Sequence, residues 1–462
     1  MALRIYNTLT RKKETLKTIR PNQIGMYVCG PTIYDFGHLG HGRSAINFDV
    51  IRRYFIYKGY KVKFVFNYTD IDDKIINRAR ERNISWTDLT KEMARVYDED
   101  YEKLGILKPD VNPYATHYIN EMLEVVERMD KNGFLYKIDD DGIYFDVSKV
   151  KGYGKLSRMK LDEQKSVRKE LTDKKKNPQD FVVWKFKKAG EPFWQSKYGE
   201  GRPGWHLECT AMIWKNLGIP FDIHGGGADL IMPHHEDEIA QGYGAFGDDY
   251  ARYWMHNGFI NVNNEKMSKS LGNFFTLRDI FKKYDPKVVR FFVLQTHYRM
   301  PCNFADILLD QAKSSLERIN RFVENVYNAN GIHYNISDKI EKAAAGFEKS
   351  MDDDFDTSGA LASIYEFIKE INTLIDQGKI DDANKKEIIS FLKRIDSVFN
   401  VMNFDIKKIE IPDEIKKIAE EREKARKVKD WEKSDRLRNE IKEKGYEIID
   451  GKDGYIIRKV VN

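Results

Sequence analysis

Two short clusters in this sequence are suited to handling phosphate. His38-Leu39-Gly40-His41 sets two imidazoles three residues apart, and they share a face when the segment opens a helix. The glycine between them lets a nucleotide approach the backbone, and a helix N-terminus attracts phosphate. Imidazole N–H groups placed there could donate to a phosphorus centre crowded by five oxygens. Far downstream, Lys266-Met267-Ser268-Lys269-Ser270 offers two ammonium groups three residues apart together with two hydroxyls. Flexible point charges of this kind can clamp β- and γ-phosphates. Each cluster alone has a bland equivalent, a pair of surface histidines or a solvated basic loop. Found together, each at the carboxyl end of an expected strand, they imply adenylation of a carboxylate by ATP.

A third set is dispersed. Cys29, Cys209, His234 and Glu238 lie far apart in the chain but become plausible neighbours in a folded sheet. Pro233 suits the first position of a helix, so His234 and Glu238, four residues apart, would project from one face. Two thiolates, an imidazole and a carboxylate are acceptable zinc ligands. The chain has no Cys-x-x-Cys pair, and a free cysteine is as readily a small buried hydrophobe. Spacing leaves both readings open. Cys302 is taken as structural.

The elements that must position these groups follow from periodicity. Residues 24–29 and 62–68 read as short strands rich in apolar, β-branched and aromatic residues, and 40–57 as the helix between them, ended by Gly59. This β-α-β unit predicts a parallel sheet with a right-handed crossover, whose ligands bind at the carboxyl ends of the strands. Cys29, the two histidines, Thr69 and Asp70 fall at that edge. Residues 116–200 lack a clear period, carry the run Lys174-Lys175-Lys176 and are expected to be an insertion. The sheet pattern resumes at 220–224, followed by Gly225-Gly226-Gly227, and 253–262 is strand-like. From about 305 the chain turns helical, for instance over 307–326 and 361–375. A single charged helix is expected over 415–444, followed by strands at 446–449 and 455–460 joined by an Asp-Gly turn.

The fold class is therefore α/β, a Rossmann-like parallel-sheet domain with an insertion, then a helical bundle and a small C-terminal α+β module. The expected limits are 1–304 for the sheet domain, 305–404 for the bundle and 405–462 for the module. The insertion takes up 116–200, and 231–304 carries the lysine cluster. A length of 462 residues agrees with several domains. A charged fraction of 33% beside a hydrophobic fraction of 41% excludes a disordered chain, and a net charge of +5 permits an anionic partner without demanding one. No apolar run approaches the ~20 residues a membrane span needs, the first residues lack a signal-peptide core, and three cysteines suggest a reducing compartment. The expected location is cytoplasmic.

The chain resembles the class I aminoacyl-tRNA synthetases and, within them, the cysteinyl-tRNA synthetases. The resemblance rests on Cys29-Gly30-Pro31-Thr32-Ile33-Tyr34-Asp35 leading into His38-Leu39-Gly40-His41, and on Asn67-Tyr68-Thr69-Asp70-Ile71-Asp72-Asp73-Lys74. It continues through Gly201 to Cys209, His224-Gly225-Gly226-Gly227-Ala228-Asp229-Leu230, Pro233-His234-His235-Glu236 and the Lys266–Ser270 cluster. Met351-Asp352-Asp353-Asp354-Phe355 and the Asp430-Trp431 helix fit as well.

The resemblance implies one Zn2+ per chain on Cys29, Cys209, His234 and Glu238, which takes up the substrate thiol and so selects cysteine. It implies ATP, with Mg2+, as substrate bound by His38, His41, Gly226, Lys266 and Lys269, of which the histidines and lysines act in catalysis. Thr69 and Trp205 would line the amino-acid pocket, and Asp229 would hold either the ribose or the substrate amine. The implied reaction is activation of L-cysteine and its transfer to tRNA(Cys) by a monomer with no membrane partner. Arg422, Arg426, Lys429 and Trp431 are candidate tRNA contacts. The rivals are a ligase joining cysteine to an amino-sugar and a non-catalytic RNA-binding relative; the C-terminal module opposes the first, and the intact motifs the second.

Overall fold

The structure, a computed structural model, describes residues 2–159, 174–247, 250–263, 265–266, 275–405, 412–451 and 454–459. The chain forms two compact units, Met1–Met402 and Asn403–Asn462.

The first unit is organised on a four-stranded parallel sheet. Its strands are β1 (Gln23–Val28), β2 (Lys61–Phe66), β3 (Phe221–Gly227) and β4 (Ala251–Asn257), in the spatial order β4-β3-β1-β2. An extended segment adds to the outer edge of β2, with Val65 bridged to Val111 and the Phe66 and Tyr68 amides donating to the Val111 and Pro113 carbonyls. Helix α1 (Leu39–Tyr57) crosses from β1 to β2 and buries Ile46, Phe48, Val50, Ile51, Tyr54 and Phe55. Only backbone fits between β1 and the loop after β2. A Cβ on Gly30 would lie 1.6 Å from the Asn67 carbonyl oxygen, and one on Gly225 would lie 2.5 Å from the Phe48 ring.

The expected strand at 253–262 is two strands. β4 ends at Asn257, and Ile260–Val262 joins a separate small sheet with Glu265–Lys266 and Cys302–Phe304. The interruption faces Arg43, a fully buried arginine of α1 whose guanidinium donates to the carbonyls of Gly258 (2.7 Å), Phe259 (2.6 Å), Tyr298 (3.2 Å) and Met300. Four main-chain carbonyls at the end of the strand and in the segment beside it thus share one cation, those of Phe259 and Tyr298 also accepting from the Cys302 and Gly258 amides.

The stretch between 116 and 200 is more regular than its sequence suggests. It holds a helix, Ile119–Lys131, and three strands of an antiparallel sheet, Leu135–Ile138, Gly142–Phe145 and Phe181–Phe186, with Gly201–Pro203 as the fourth. Aromatics rather than alternation define these strands, for Phe134, Phe145 and Phe181 stack in succession. The helical part comprises Asp306–Asn328, Ser337–Asp352, Thr357–Asp376 and Asp382–Phe399, packed through Phe322, Phe367 and Phe391 and through Phe347 with Phe399. No helix among the described residues is long and apolar enough to cross a membrane.

In the second unit the expected single helix is a pair, Asp413–Lys427 and Trp431–Glu443, followed by the hairpin Tyr446–Gly451 and Gly454–Lys459. Lys429 at φ 61° reverses the chain, and the Asp430 side chain caps the second helix by accepting from the Lys433 amide. Ile415, Ala419, Ile441, Tyr446 and Ile448 form its core.

Replacing Arg43 by Met keeps most of the volume but removes the charged donor that four carbonyls share. It is expected to cost about 3 kcal/mol or more. Urea unfolding measures this, and an unchanged midpoint would show that the cation is dispensable.

Candidate active site

The carboxyl ends of the four strands open into a cleft of about 410 Å3. Its floor carries Cys29 and Cys209, and its walls include His38, His41, Thr69, Lys74, Trp205, Asp229, His234 and Asn257. Gly226 does not line it. A Cβ there would meet the His235 ring at 2.9 Å, and the neighbouring Gly227 lies at the cleft instead. The backbone of Lys266 is described in its short strand, whereas Lys269 lies outside the described residues.

Helix α1 begins at the cleft. The His38 Nδ1 accepts from the Gly40 amide at 3.1 Å, and the His41 Nδ1 accepts from the His38 amide at 3.2 Å, so the two rings close a capping box and stack with centroids 3.7 Å apart. Accepting through Nδ1 leaves the proton of a neutral ring on Nε2. Burial, then the neighbouring His38 and Lys74 charges, push the His41 pKa well below its usual value, so that ring is a neutral donor. Thr69, buried after β2, donates to the Glu208 Oε2 at 2.9 Å. Trp205 opens helix α2 (Trp205–Leu217) and is 37% exposed, with its ring 4.4 Å from that of His234.

The structure brings Cys29, Cys209, His234 and Glu238 together at the cleft floor, all buried, with one donor atom of each within 4.8 Å of the others. Helix α3 (Glu236–Phe246) is preceded by a separate helical turn, Ile231–His235, in which only Met232, at φ −135°, departs from helical geometry, and His234 and Glu238 meet across the junction. The two sulfurs are 3.7 Å apart, the Cys29 Sγ is 3.7 Å from the Glu238 Oε1, and the His234 Nε2 is 3.1 Å from that same oxygen. A tetrahedral ion with bonds of about 2.3 Å to sulfur and about 2.0 Å to nitrogen or oxygen sets its donors roughly 3.2–3.8 Å apart.

The electrostatics agree with these spacings. Burial raises the Cys29 thiol, whereas Cys209, against its own burial, is drawn down to about 6 by its contacts with Cys29 and His234. Burial also opposes charge on His234, but Cys209 and Glu238 raise it to about 10. Glu238 is held far below the carboxylate range, despite burial, by His224 and His234. On the face where the four donors meet, two sulfurs and one carboxylate oxygen surround a single imidazole, an arrangement that a divalent, thiophilic cation would satisfy.

Supporting groups that the sequence reading passed over surround this set. The His224 Nε2 lies 2.8 Å from the Glu238 Oε2, to which the Tyr250 hydroxyl donates at 3.1 Å. The His206 Nδ1 lies 2.9 Å from the His234 Nδ1, and its Nε2 is 3.2 Å from Asp237. The His235 Nε2 is 3.4 Å from the Cys29 Sγ, and its Nδ1 is 2.8 Å from His256, which reaches Thr8. Burial first and neighbouring imidazoles second push the His235 and His256 pKa down, the latter to about 3, so both rings are neutral. Of the chain's ten histidines, seven (His38, His41, His206, His224, His234, His235 and His256) stand at or behind the cleft. That concentration within the motif segments was the available signal.

In the second unit Arg422 is buried in a two-point ion pair with Asp450, at 2.6 and 2.8 Å, and Arg426 also reaches that carboxylate. Arg422 is thus a structural cation rather than a contact residue. Trp431, by contrast, is 58% exposed and is not core beneath the hairpin.

Comparison with known proteins agrees with this geometry. Residues 15–314 match the family model described as the tRNA synthetases class I (C) catalytic domain, and 346–406 match the DALR domain. The methionyl-tRNA synthetase of Mycobacterium tuberculosis in complex with methionyl-adenylate superposes with a TM-score of 0.59 at 15% identity, over 82% of this chain and 90% of that one. The family match and the fold are those of a class I aminoacyl-tRNA synthetase. The cysteine–tRNA ligase of Thermodesulfovibrio yellowstonii is 43% identical over the whole of both chains, and that of Carboxydothermus hydrogenoformans is 44% identical over 99% of this chain and all of its own. The chain belongs to the cysteine–tRNA ligase family.

Cys209→Ser replaces a soft donor by a hydroxyl and is expected to lower the metal content of the purified protein. Elemental analysis tests this, and a metal content equal to wild type would remove Cys209 from the donor set.

Proposed function

We propose that this chain activates L-cysteine with Mg-ATP to cysteinyl-adenylate and passes the acyl group to the 3′-terminal adenosine of tRNA(Cys), with Zn2+ on Cys29, Cys209, His234 and Glu238. The observation that carries the choice of amino acid is the convergence of two thiols, an imidazole and a carboxylate on the floor of the cleft whose rim holds His38 and His41. When bound, the ion is a Lewis acid that holds a substrate thiol as thiolate, which a serine hydroxyl supplies poorly.

The chain's own residues do the rest by position. His38 and His41, each with Nδ1 committed to a backbone amide, direct Nε2–H groups at the α-phosphate as the substrate carboxylate attacks and pyrophosphate leaves. Lys266 and Lys269 clamp the departing β- and γ-phosphates. Thr69, tied to Glu208, and Trp205, laid along His234, bound the amino-acid pocket. Asp229 contributes a carboxylate acceptor on the opposite wall. Residues 305–404 and the module 405–462 take the tRNA, with Trp431 as an exposed surface for an unstacked anticodon base. We read the protein as a monomer working in the cytoplasm.

Pyrophosphate–ATP exchange with cysteine or serine, with and without a chelator, tests the assignment. Cysteine should be preferred by a factor on the order of 10⁴, the scale reached when a site is built around a substrate's polar group, and chelation should abolish the preference. Equal activation of serine, or a preference indifferent to chelation, would refute the metal's role.

A further inference from the structure

Lys74 has no place in the mechanism above, yet it faces the cleft beside His38 and His41. We propose that its ammonium is a phosphate-binding group of the reaction. It lies in the first turn of the helix Asp73–Arg82 and is the only lysine or arginine among the described residues lining the cleft. Its Nζ rests 5.6 Å from the centroid of the Tyr34 ring, and Tyr34 lines the same cleft.

Apart from that ring contact, no side chain among the described residues holds it there. Among the described residues no carboxylate lies within ion-pair distance of it. Its neighbour Asp73 is taken by Lys185 at 2.9 Å and by Arg202, and the Asp72 side chain accepts the backbone amide of Lys74 itself. The position also opposes the helix, because the first turn is the positive end of the helix dipole and favours an anion. A cation that neither pairs nor stabilises its own helix, exposed in a cleft with two imidazole donors, is placed for a ligand of high negative charge. Its field reaches the histidine pair, since Lys74 is among the charges that keep His41 neutral. The contact with the tyrosine face is weak and readily exchanged for a charge-assisted hydrogen bond to a phosphate oxygen.

That phosphate has two sources in the reaction, the triphosphate of ATP in the first step and the terminal phosphodiester of the tRNA acceptor end in the second. The inference rests on the reading that His38 and His41 face ATP, and wild-type pyrophosphate exchange tests that reading separately. Lys74→Ala and Lys74→Arg in the full chain carry the test. The Ala variant should lose about 10- to 100-fold in kcat/KM, the size of one charge-assisted hydrogen bond, in one of two assays. Loss in exchange through a raised ATP KM, with cysteine KM unchanged, assigns the nucleotide. Normal exchange with slowed single-turnover transfer from preformed adenylate assigns the acceptor end. In either case the Arg variant should recover much of the loss. Wild-type rates in both assays would overturn the proposal, as would equal losses in the Ala and Arg variants accompanied by weakened cysteine binding, the mark of a merely structural residue.

Discussion

A carboxylate with no access to solvent governs the architecture of this cleft. Glu238 is fully buried, and each of its oxygens answers to a different wall. One faces Cys29 and His234, and the other accepts from Tyr250 beside His224. An isolated carboxylate in such a place would be prohibitively costly, so its surroundings are constrained to supply donors from the end of β1, from β3, from the turn before α3 and from Tyr250 ahead of β4. Several of those donors need a second partner of their own. His234 leans on His206, which in turn reaches Asp237, and His235 leans on His256, which reaches Thr8. The polar interior propagates outward from Glu238 until it reaches the surface strands.

The same logic, with the sign reversed, joins the sheet to the rest of the first unit. Arg43 and Arg290 are buried cations. Arg43 gathers main-chain carbonyls where β4 gives way to the small sheet, and Arg290 binds Asp49 at 2.5 Å and the Phe399 carbonyl at 2.6 Å. Three consecutive aspartates complete the joint. Asp352 accepts from Tyr54 of α1, Asp353 pairs with Lys13, and Asp354 accepts from the Tyr6 amide, the Tyr298 hydroxyl and Arg299. Asp354 and Phe355 both adopt left-handed backbone, φ 67° and 56°, an arrangement that turns successive carboxylates toward different elements. Helix α1, which presents the histidine pair, is thereby registered against the strand that leads to the lysine cluster.

Periodicity revealed what depends on local pattern. The β1-α1-β2 unit was legible because its strands are apolar runs between turn residues, and the carboxyl edge then located Cys29, His38, His41 and Thr69 without further information. The break at Gly258-Phe259 was not legible, because Arg43, which takes up its carbonyls, lies far away in the chain. The reversal at Lys429 was hidden for another reason: lysine carries no signal for left-handed backbone, and only Asp430 as a cap marked the second helix. Residue chemistry made the four donors at the cleft floor only candidates, since no two of the cysteines share a motif, and the family resemblance decided for them. The histidines behind them escaped because their partners are set by the sheet and not by spacing.

The arrangement also explains why selection and chemistry need not compete. The histidine pair sits at the rim, where α1 begins, and its Nδ1 atoms are committed to the main chain of the same turn. The sulfur-rich set sits on the floor, held through β1, β3 and α3. In the proposed reaction, binding free energy drawn from a side-chain thiol at the floor would fix the amino acid by its far end, leaving its carboxylate to be oriented by the rim. A contact made equally in ground and transition states would improve affinity alone, but in this proposed arrangement it would position the attacking oxygen, and the rim donors would meet charge only as it develops. Discrimination at one end of the substrate and catalysis at the other can then be varied independently, provided the strand ends between them hold their spacing. Gly30 and Gly225, where no side chain fits, keep that spacing.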